Sequence, residues 1–477
     1  MNQTHLVAEH ASPAAQRRDR RLLEGPVLFD AHRPVLLAGP ACDTLQAHCA
    51  RFHRGPDGDT GRARDRDPGT PQARGDLLED LDRLGLAGRG GAHFSVATKW
   101  RAALAAGGGG TVVANGAEGE PASAKDAALL LHRPHLVLDG LALAAHATGA
   151  VRTIVWLHDG ADDVRRSVTA ALAERRAARL TEPLARIVTG PDAYLTGESS
   201  AVVRALSGGP ALPEFRRSPA ATRGVDGLPT LVHNVETLAR IGLVALAGTA
   251  GHRDSTLVTV LHDRRRTVLE VDPATTVVAA VSRVGPIHPP QAVLVGGYGG
   301  SWLPWHVAAH LPLEHRALQT AGAGLGAGVV APLPAQACGL TETAAVVDYL
   351  ATAGARQCGP CLFGLRAIAD LLLDLARGNG GPGHLRRLRR YTGLVTGRGA
   401  CHHPDGVVRL VGTALITFQD DVDEHARRRR CLHPGTGAVL PIPARPAVAS
   451  RSGRATGTAT VPSAGIPGIP GIPGGRR

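Results

Sequence analysis

Lysine is almost missing from this chain: all but two of its 53 basic residues are arginines, the exceptions being Lys99 and Lys125. Asparagine occurs four times, methionine once, and aromatic residues fill only 3 % of 477 positions. An interior so poor in rings must be built from aliphatic side chains and alanine. No apolar run approaches the ~20 residues of a bilayer-spanning helix. The start, Met1–Arg21, is polar and basic with no apolar signal core, which points away from secretion. Seven cysteines, an odd number in a long chain without a secretory mark, point to a reducing cytoplasm. The net charge of +12 invites a nucleic-acid reading. No nucleic-acid motif accompanies it, however, and the one dense basic run, Arg427–Arg430, follows a helical pattern and reads as a solvated or acid-facing surface.

A chain of this length predicts several domains. Residues 1–75 read as an irregular arm and linker, with short extended pieces at Pro26–Phe29 and Pro34–Leu37 and ordinary thiols at Cys42 and Cys49. Helix is expected at Leu77–Leu86, His132–Ala147 and Ala161–Leu180, and strand at Thr111–Ala114, Val151–Leu157 and Arg186–Thr189. Such alternation favours a largely parallel α/β sheet over 76–250. Three β-like runs, Thr256–Val260, Thr267–Val271 and Ala292–Val295, mark a smaller unit over 251–305. Helices at Thr341–Leu350, Leu362–Leu375 and Val407–Val422 make 306–432 a helical unit. The Pro- and Gly-rich end, 433–477, cannot bury a core and is expected to be disordered.

The scarce residues fall in glycine-rich segments. Lys99 closes Gly85-Leu-Ala-Gly-Arg-Gly-Gly-Ala-His-Phe-Ser-Val-Ala-Thr-Lys-Trp100, and Asn115 opens Asn115-Gly-Ala-Glu-Gly-Glu-Pro-Ala-Ser-Ala-Lys-Asp126. Dense glycine lets a backbone approach a ligand, and its N–H groups can converge on a phosphate. Two more loops follow: Gly190-Pro-Asp-Ala-Tyr-Leu-Thr-Gly-Glu-Ser-Ser-Ala201 and Gly227-Leu-Pro-Thr-Leu-Val-His-Asn-Val-Glu-Thr-Leu238. Singly, these read as turn glycines, a capping asparagine and solvated acids. As an ordered set they resemble the flavoprotein subunit of NADH:quinone oxidoreductase, the family of the 51-kDa subunit of respiratory complex I, from about Leu81 to about Cys401.

The resemblance implies a Rossmann-like FMN-binding domain, a small β-grasp domain and a helical iron–sulfur bundle. It places Gly88, Arg89, Gly90, Gly91 and Lys99 along the flavin, Asn115 and Glu118 at its ring edge, and Tyr194, Gly197 and Glu198 as the closing wall. Asn234 and Thr237 fall near the ribityl phosphate, Phe94 at the nucleotide, and Glu120 is the one candidate catalytic side chain. The family's second acid after Glu198 is Ser199 here, which removes a charge that would repel a 2′-phosphate, so NADH and NADPH are both expected as substrates. A family glycine is His93, read either as a plug in the nucleotide cleft or as a harmless surface change.

Gln357-Cys-Gly-Pro-Cys-Leu-Phe-Gly364 matches the family's cluster motif with Cys358 and Cys361 in place, Cys401 as the distant ligand and Ala355 where the first cysteine belongs. A [4Fe–4S] cluster ordinarily takes four thiolates. Three leave open a fourth ligand from His402, His403 or solvent, a [3Fe–4S] core, a zinc ion, or bare thiols; Cys338 stays in reserve. The function implied is hydride transfer from NAD(P)H to FMN, with single electrons passing through the cluster to a thioredoxin-like [2Fe–2S] subunit, a ferredoxin or a membrane quinone-linked complex. The expected location is the cytoplasm, peripheral to the membrane. A non-catalytic assembly subunit on the same scaffold is the alternative.

Overall fold

The computed structural model describes residues 24–29, 36–37, 44–52, 71–285, 288–433 and 439–443. The arm is not irregular throughout: it supplies strand β1 (Glu24–Phe29) and helix α1 (Leu45–Phe52), the latter carrying Cys49. Leu36 and Leu37, expected to be extended, form a buried bend whose N–H groups donate to the Glu270 carboxylate at 2.8–2.9 Å. Cys42 and the linker before Pro71 lie outside the described residues. Helix α2 (Pro71–Arg83) starts earlier and ends sooner than the pattern at Leu77–Leu86.

Helix α3 (Val96–Ala105) leads into β2 (Thr111–Asn115), α4 (Lys125–His132), α5 (Pro134–Thr148), β3 (Arg152–His158) and α6 (Asp162–Ala177). Then come β4 (Arg186–Gly190), α7 (Ser199–Leu206), β5 (Thr230–Asn234) and α8 (Val235–Gly251). The four strands form a parallel sheet in the order β4-β3-β2-β5. Their apolar runs are buried on both faces, as a helix-covered parallel sheet requires. The helix expected at His132–Ala147 is α5, which Pro134 opens because it supplies no N–H to continue the preceding turn; α4 before it was not expected. Among the described residues no single helix is long and apolar enough to cross a membrane; α4 and α5 pass only as a pair bent by 96°, and their apolar faces lie in the core. Parallel register sets Asn115 opposite Asn234 at the carboxyl edge of the sheet.

The next sheet is larger than the three expected strands. Strands β6 (Thr256–His262) and β7 (Arg265–Val271), helix α9 (Val277–Ser282), strands β8 (Ala292–Val295) and β9 (Ser301–Pro304), the short helices α10 (Trp305–Ala308) and α11 (His315–Thr320), and strand β10 (Val329–Leu333) follow in order. The sheet runs β1-β7-β6-β10-β8-β9. The hairpins β6–β7 and β8–β9 do not pair with one another. Strand β10 joins them, parallel to β6 and antiparallel to β8, so the unit extends beyond 251–305 at both ends.

Helices α12 (Gly339–Ala353), α13 (Leu365–Ala376), α14 (Pro382–Val395), α15 (His403–Thr417) and α16 (Gln419–Asp423) form the last unit around an aliphatic core. The arginine-rich α14 escaped the sequence pattern because only Leu388 and Val395 of its residues are fully buried. Part of the expected disordered tail is ordered. The Glu342 carboxylate accepts the N–H groups of Val439 (2.9 Å) and Leu440 (3.2 Å), and Tyr298 donates its hydroxyl to the Pro441 carbonyl at 2.8 Å. Residues 444–477 lie outside the described residues.

Candidate functional site

An isolated bridge pairs Ala87 with Ser95, and the Gly88 N–H donates to the Phe94 carbonyl at 2.9 Å, closing a glycine loop ahead of α3. Gly91 sits at φ +97°, open to glycine and strained for other residues. A Cβ on Gly90 would lie 3.4 Å from the Cβ of Asn234, so the loop rests directly on the end of β5. The Ser95 hydroxyl caps α3, placing Lys99 in its first turn, facing the sheet. Lys99 Nζ donates to the Val232 carbonyl at 2.7 Å, and burial lowers its pKa to about 8.

Asn115 Nδ2 donates to the Gly197 carbonyl at 2.8 Å, tying the end of β2 to the Tyr194 loop. A Cβ on Gly197 would meet the Ala117 carbonyl oxygen at 2.4 Å, so these two loops touch backbone to backbone. Thr237 Oγ1 accepts the Arg89 N–H at 2.9 Å. Glu198 accepts the N–H groups of Ser200 and Ala201 at the start of α7, and Asn234 accepts that of Glu236 at the start of α8. Glu118 accepts those of Asp126 and Ala127 at the start of α4. The capping alternative therefore holds for Asn234, and Glu118 and Glu198, alternatively read as solvated acids, are half-buried and cap helices as well. The capping also means that three helix N-termini converge at one sheet edge, a setting that favours an anion. Lys99, Asn115, Glu198 and Asn234 share this edge. Phe94 stands apart from it, 56 % exposed.

Glu120 is half-buried. It accepts the Tyr298 N–H at 2.8 Å and the Tyr194 hydroxyl at 3.3 Å, and burial raises its carboxyl to about 7. Below the glycine loop lies a charge network that no local sequence pattern marks. Lys125 Nζ meets Asp126 at 2.7 Å and Glu236 at 3.1 Å, and Glu236 holds Arg240 at 3.0 Å. Burial opposes the Glu236 charge, yet Lys125 and Arg240 outweigh it and bring the carboxyl to about 2. The rarity of lysine was the signal that could have brought Lys125 into the site.

The donor set fits a phosphorylated flavin. Arg89 pairs with Asp254 at 2.7 Å, but its Nε is buried with no hydrogen-bond partner, and the Lys99 ammonium has a carbonyl in place of an acid. Both cations flank glycines whose missing side chains leave a cradle. The glycine loop and the Gly324–Gly328 connector face one another across a narrow cleft that Lys125 and Glu236 also line. His93, at φ +50°, stacks on His315 with centroids 3.8 Å apart, one ring from each side of this space. Burial lowers the His93 pKa to about 4, so its ring is uncharged at neutral pH. His93 is thus no loose surface substitution; it bridges the loop to α11.

The three cluster cysteines lie where the turn Pro360–Gly364, opening α13, meets the start of α15. Arg356 N–H donates to Cys361 Sγ at 3.2 Å, and a Cβ on Gly354 would sit 2.5 Å from that sulfur. Burial raises the Cys401 thiol to about 11, with added contributions from the Glu198, Cys361 and Cys358 charges. Glu198 thus lies within electrostatic reach of Cys401 while capping α7 at the sheet edge. His403 is buried beside Cys361, its Nε2 3.0 Å from the Leu350 carbonyl. These thiols and their N–H donors fit three corners of a cluster; Ala355 brings no fourth thiolate.

A parallel sheet with a glycine loop on its carboxyl edge, joined to a cysteine-bearing helical bundle, defines a flavin- and iron–sulfur-dependent electron-transfer protein. Residues 81–243 match the family described as Nuo51 FMN-binding domain, and residues 341–425 the NADH-ubiquinone oxidoreductase-F iron–sulfur binding region. The F component of NADH-quinone oxidoreductase from Streptomyces coelicolor is 26 % identical over 378 residues, covering 75 % of this chain and 84 % of its own. That of Escherichia coli is 26 % identical over 384 residues, covering 73 % and 84 %. An NAD+-reducing [NiFe]-hydrogenase in its H2-reduced state superposes with a TM-score of 0.69 at 25 % identity, over 77 % of this chain and 64 % of that one. The chain thus spans just under two thirds of the hydrogenase chain. It belongs to the flavoprotein family of NADH:quinone oxidoreductase, a family of oxidoreductases whose cofactors are FMN and an iron–sulfur cluster and whose substrate is NADH.

Proposed function

We propose that this chain is the component at which NADH or NADPH is oxidised, with electrons passing one at a time to a separate partner. FMN supplies the chemistry, accepting a hydride and releasing single electrons. The protein's own part is electrostatic and positional. Lys99 and Arg89 neutralise the phosphate, the N-termini of α4, α7 and α8 add partial positive charge, and Gly88, Gly90 and Gly91 let the backbone lie against the flavin. Asn115 and Glu118 face the ring edge, Tyr194, Gly197 and Glu198 wall the pocket, and Asn234 and Thr237 hold the ribityl end. Glu120, poised near pH 7, is placed to hold or release a proton. The mixed sheet serves as the β-grasp support of this domain.

Cys358, Cys361 and Cys401 would hold three corners of an iron–sulfur cluster, with His402, His403 and solvent as nearby sources of a fourth, non-thiol ligand. One cluster motif in the chain implies an external acceptor: a thioredoxin-like [2Fe–2S] subunit, a ferredoxin, or a quinone-linked membrane complex that would hold the chain at the cytoplasmic face. The observation carrying this reading is the convergence of Lys99, Asn115, Glu198 and Asn234 on one sheet edge. Anaerobic reconstitution with FMN, iron and sulfide, followed by NADH, tests it. Bleaching of the flavin band and a reduced-cluster EPR signal are expected; protein that stays colourless would support the assembly-subunit alternative.

A further inference from the structure

A second group of metal-binding side chains lies away from the cluster cysteines. Cys338, His425 and Cys431 each offer a ligand atom within 4.8 Å of the others; Cys338 and His425 are buried and Cys431 is half-buried. The two cysteines fall on either side of the matched iron–sulfur region, 341–425, and are distinct from its motif. His425 Nδ1 lies 3.0 Å from the Leu375 carbonyl, which can only accept, so this nitrogen carries the proton. Its Nε2 lone pair is then left facing Cys338 Sγ, 3.5 Å away. A carbonyl that fixes the tautomer and ring direction in this way is the usual support of a metal-ligating histidine. Cys338 caps the N-terminus of α12, where its sulfur accepts the Thr341 N–H at 3.4 Å, and the His433 N–H donates to Cys431 Sγ at 3.4 Å. Both sulfurs therefore have backbone donors suited to thiolate character.

We propose that Cys338, His425 and Cys431 bind a structural zinc ion. Two thiolates and a neutral imidazole around Zn2+ make a site of zero net charge, which suits a buried position, and binding releases two thiol protons. Asp421 borders the site: one oxygen accepts the Gly339 N–H at 3.1 Å and the other pairs with His433 at 3.2 Å. The fourth position falls to solvent or to one of these two side chains. The ion would fasten the start of α12 to the segment leaving α16, closing the helical unit around the cluster.

The test is zinc per chain in the full-length protein, by mass spectrometry and by release to a pyridylazo dye, in wild type, Cys338→Ser, Cys431→Ser and Cys361→Ser. About one zinc is expected in wild type and in Cys361→Ser, with loss in the other two. Serine preserves the α12 cap in Cys338→Ser, and half-buried Cys431 gives a second variant that keeps the fold testable. Cobalt supplied alone should give a thiolate charge-transfer band in wild type that is absent in Cys431→Ser. Zinc missing from wild type, zinc lost with Cys361 in place of Cys338, or a Cys338–Cys431 disulfide in the anaerobically purified chain would each overturn the proposal.

Discussion

The Lys99 ammonium is held 2.7 Å from the carbonyl oxygen of Val232, half-buried and opposite a dipole where an acid would be the ordinary partner. A partly desolvated cation so placed is costly to the folded protein without a ligand and favourable to any anion that enters. Lys99→Met should weaken FMN binding about tenfold to a hundredfold, the worth of a charge-assisted hydrogen bond of about 1.5–3 kcal/mol. Flavin fluorescence quenching measures it; unchanged affinity would place the phosphate elsewhere.

The same lysine sets a pH signature. Its pKa is lowered from 10.5 to about 8, so the folded state disfavours the charged form. The cost is full below pH 8 and fades as pH rises to 10.5, where the unfolded chain holds more protons. Flavin-free protein should therefore gain stability across that window, by at most about 3 kcal/mol. Urea melts of wild type and Lys99→Met compare the slopes; equal slopes would contradict it.

Glu120 has the opposite slope. Raised from 4.5 to about 7 by burial, it contributes stability that is present below pH 4.5 and lost as pH rises through 7. Glu120→Gln, which mimics the neutral form, should flatten that decline and be the more stable protein at pH 8, by at most about 3 kcal/mol. Thermal melts from pH 4.5 to 8 decide this, and a variant less stable at pH 8 would show that the carboxylate itself is required.

Ala355→Cys should complete the thiolate set. After anaerobic reconstitution both proteins should hold about four iron per chain, and the variant's cluster should survive air longer than that of wild type. Equal survival in air would mean that a side chain already holds the fourth corner as firmly as a thiolate.

Ser199 stands beside Glu198 at the start of α7, so a second carboxylate there would face a 2′-phosphate with like charge. Wild type should use NADPH and NADH with kcat/KM values within about tenfold, and Ser199→Glu should lower the NADPH value about tenfold or more while sparing NADH, a difference of about 1.4 kcal/mol. A sharp NADH preference in wild type would remove the basis for relaxed choice. His93→Gly should break the stack with His315 and lower the KM for both nucleotides; an unchanged KM would make that stack purely structural.

Three of the four parallel strands, β2, β3 and β4, were legible as short apolar runs closed by turn residues; β5 was recognised only as part of a loop. The carboxyl-edge residues were legible for a different reason: a chain stripped of lysine and asparagine keeps Lys99, Asn115 and Asn234 where the loops meet. Strand β10 was hidden, since its pairing with β6 and β8 depends on contacts remote in sequence. So was α4, a helix of only eight residues whose start lies inside the glycine-acid segment. The Lys125–Glu236–Arg240 network could not be read locally, because each of its charges looks solvated until folding brings the others alongside.

The most direct measurement is a titration of the cofactor-free chain with FMN, followed by flavin fluorescence and repeated with Lys99→Met. One flavin per chain bound by wild type, with clearly weaker binding by the variant, is the predicted result. No saturable binding, or equal binding by both proteins, would contradict a flavin held at the carboxyl edge of the β4-β3-β2-β5 sheet.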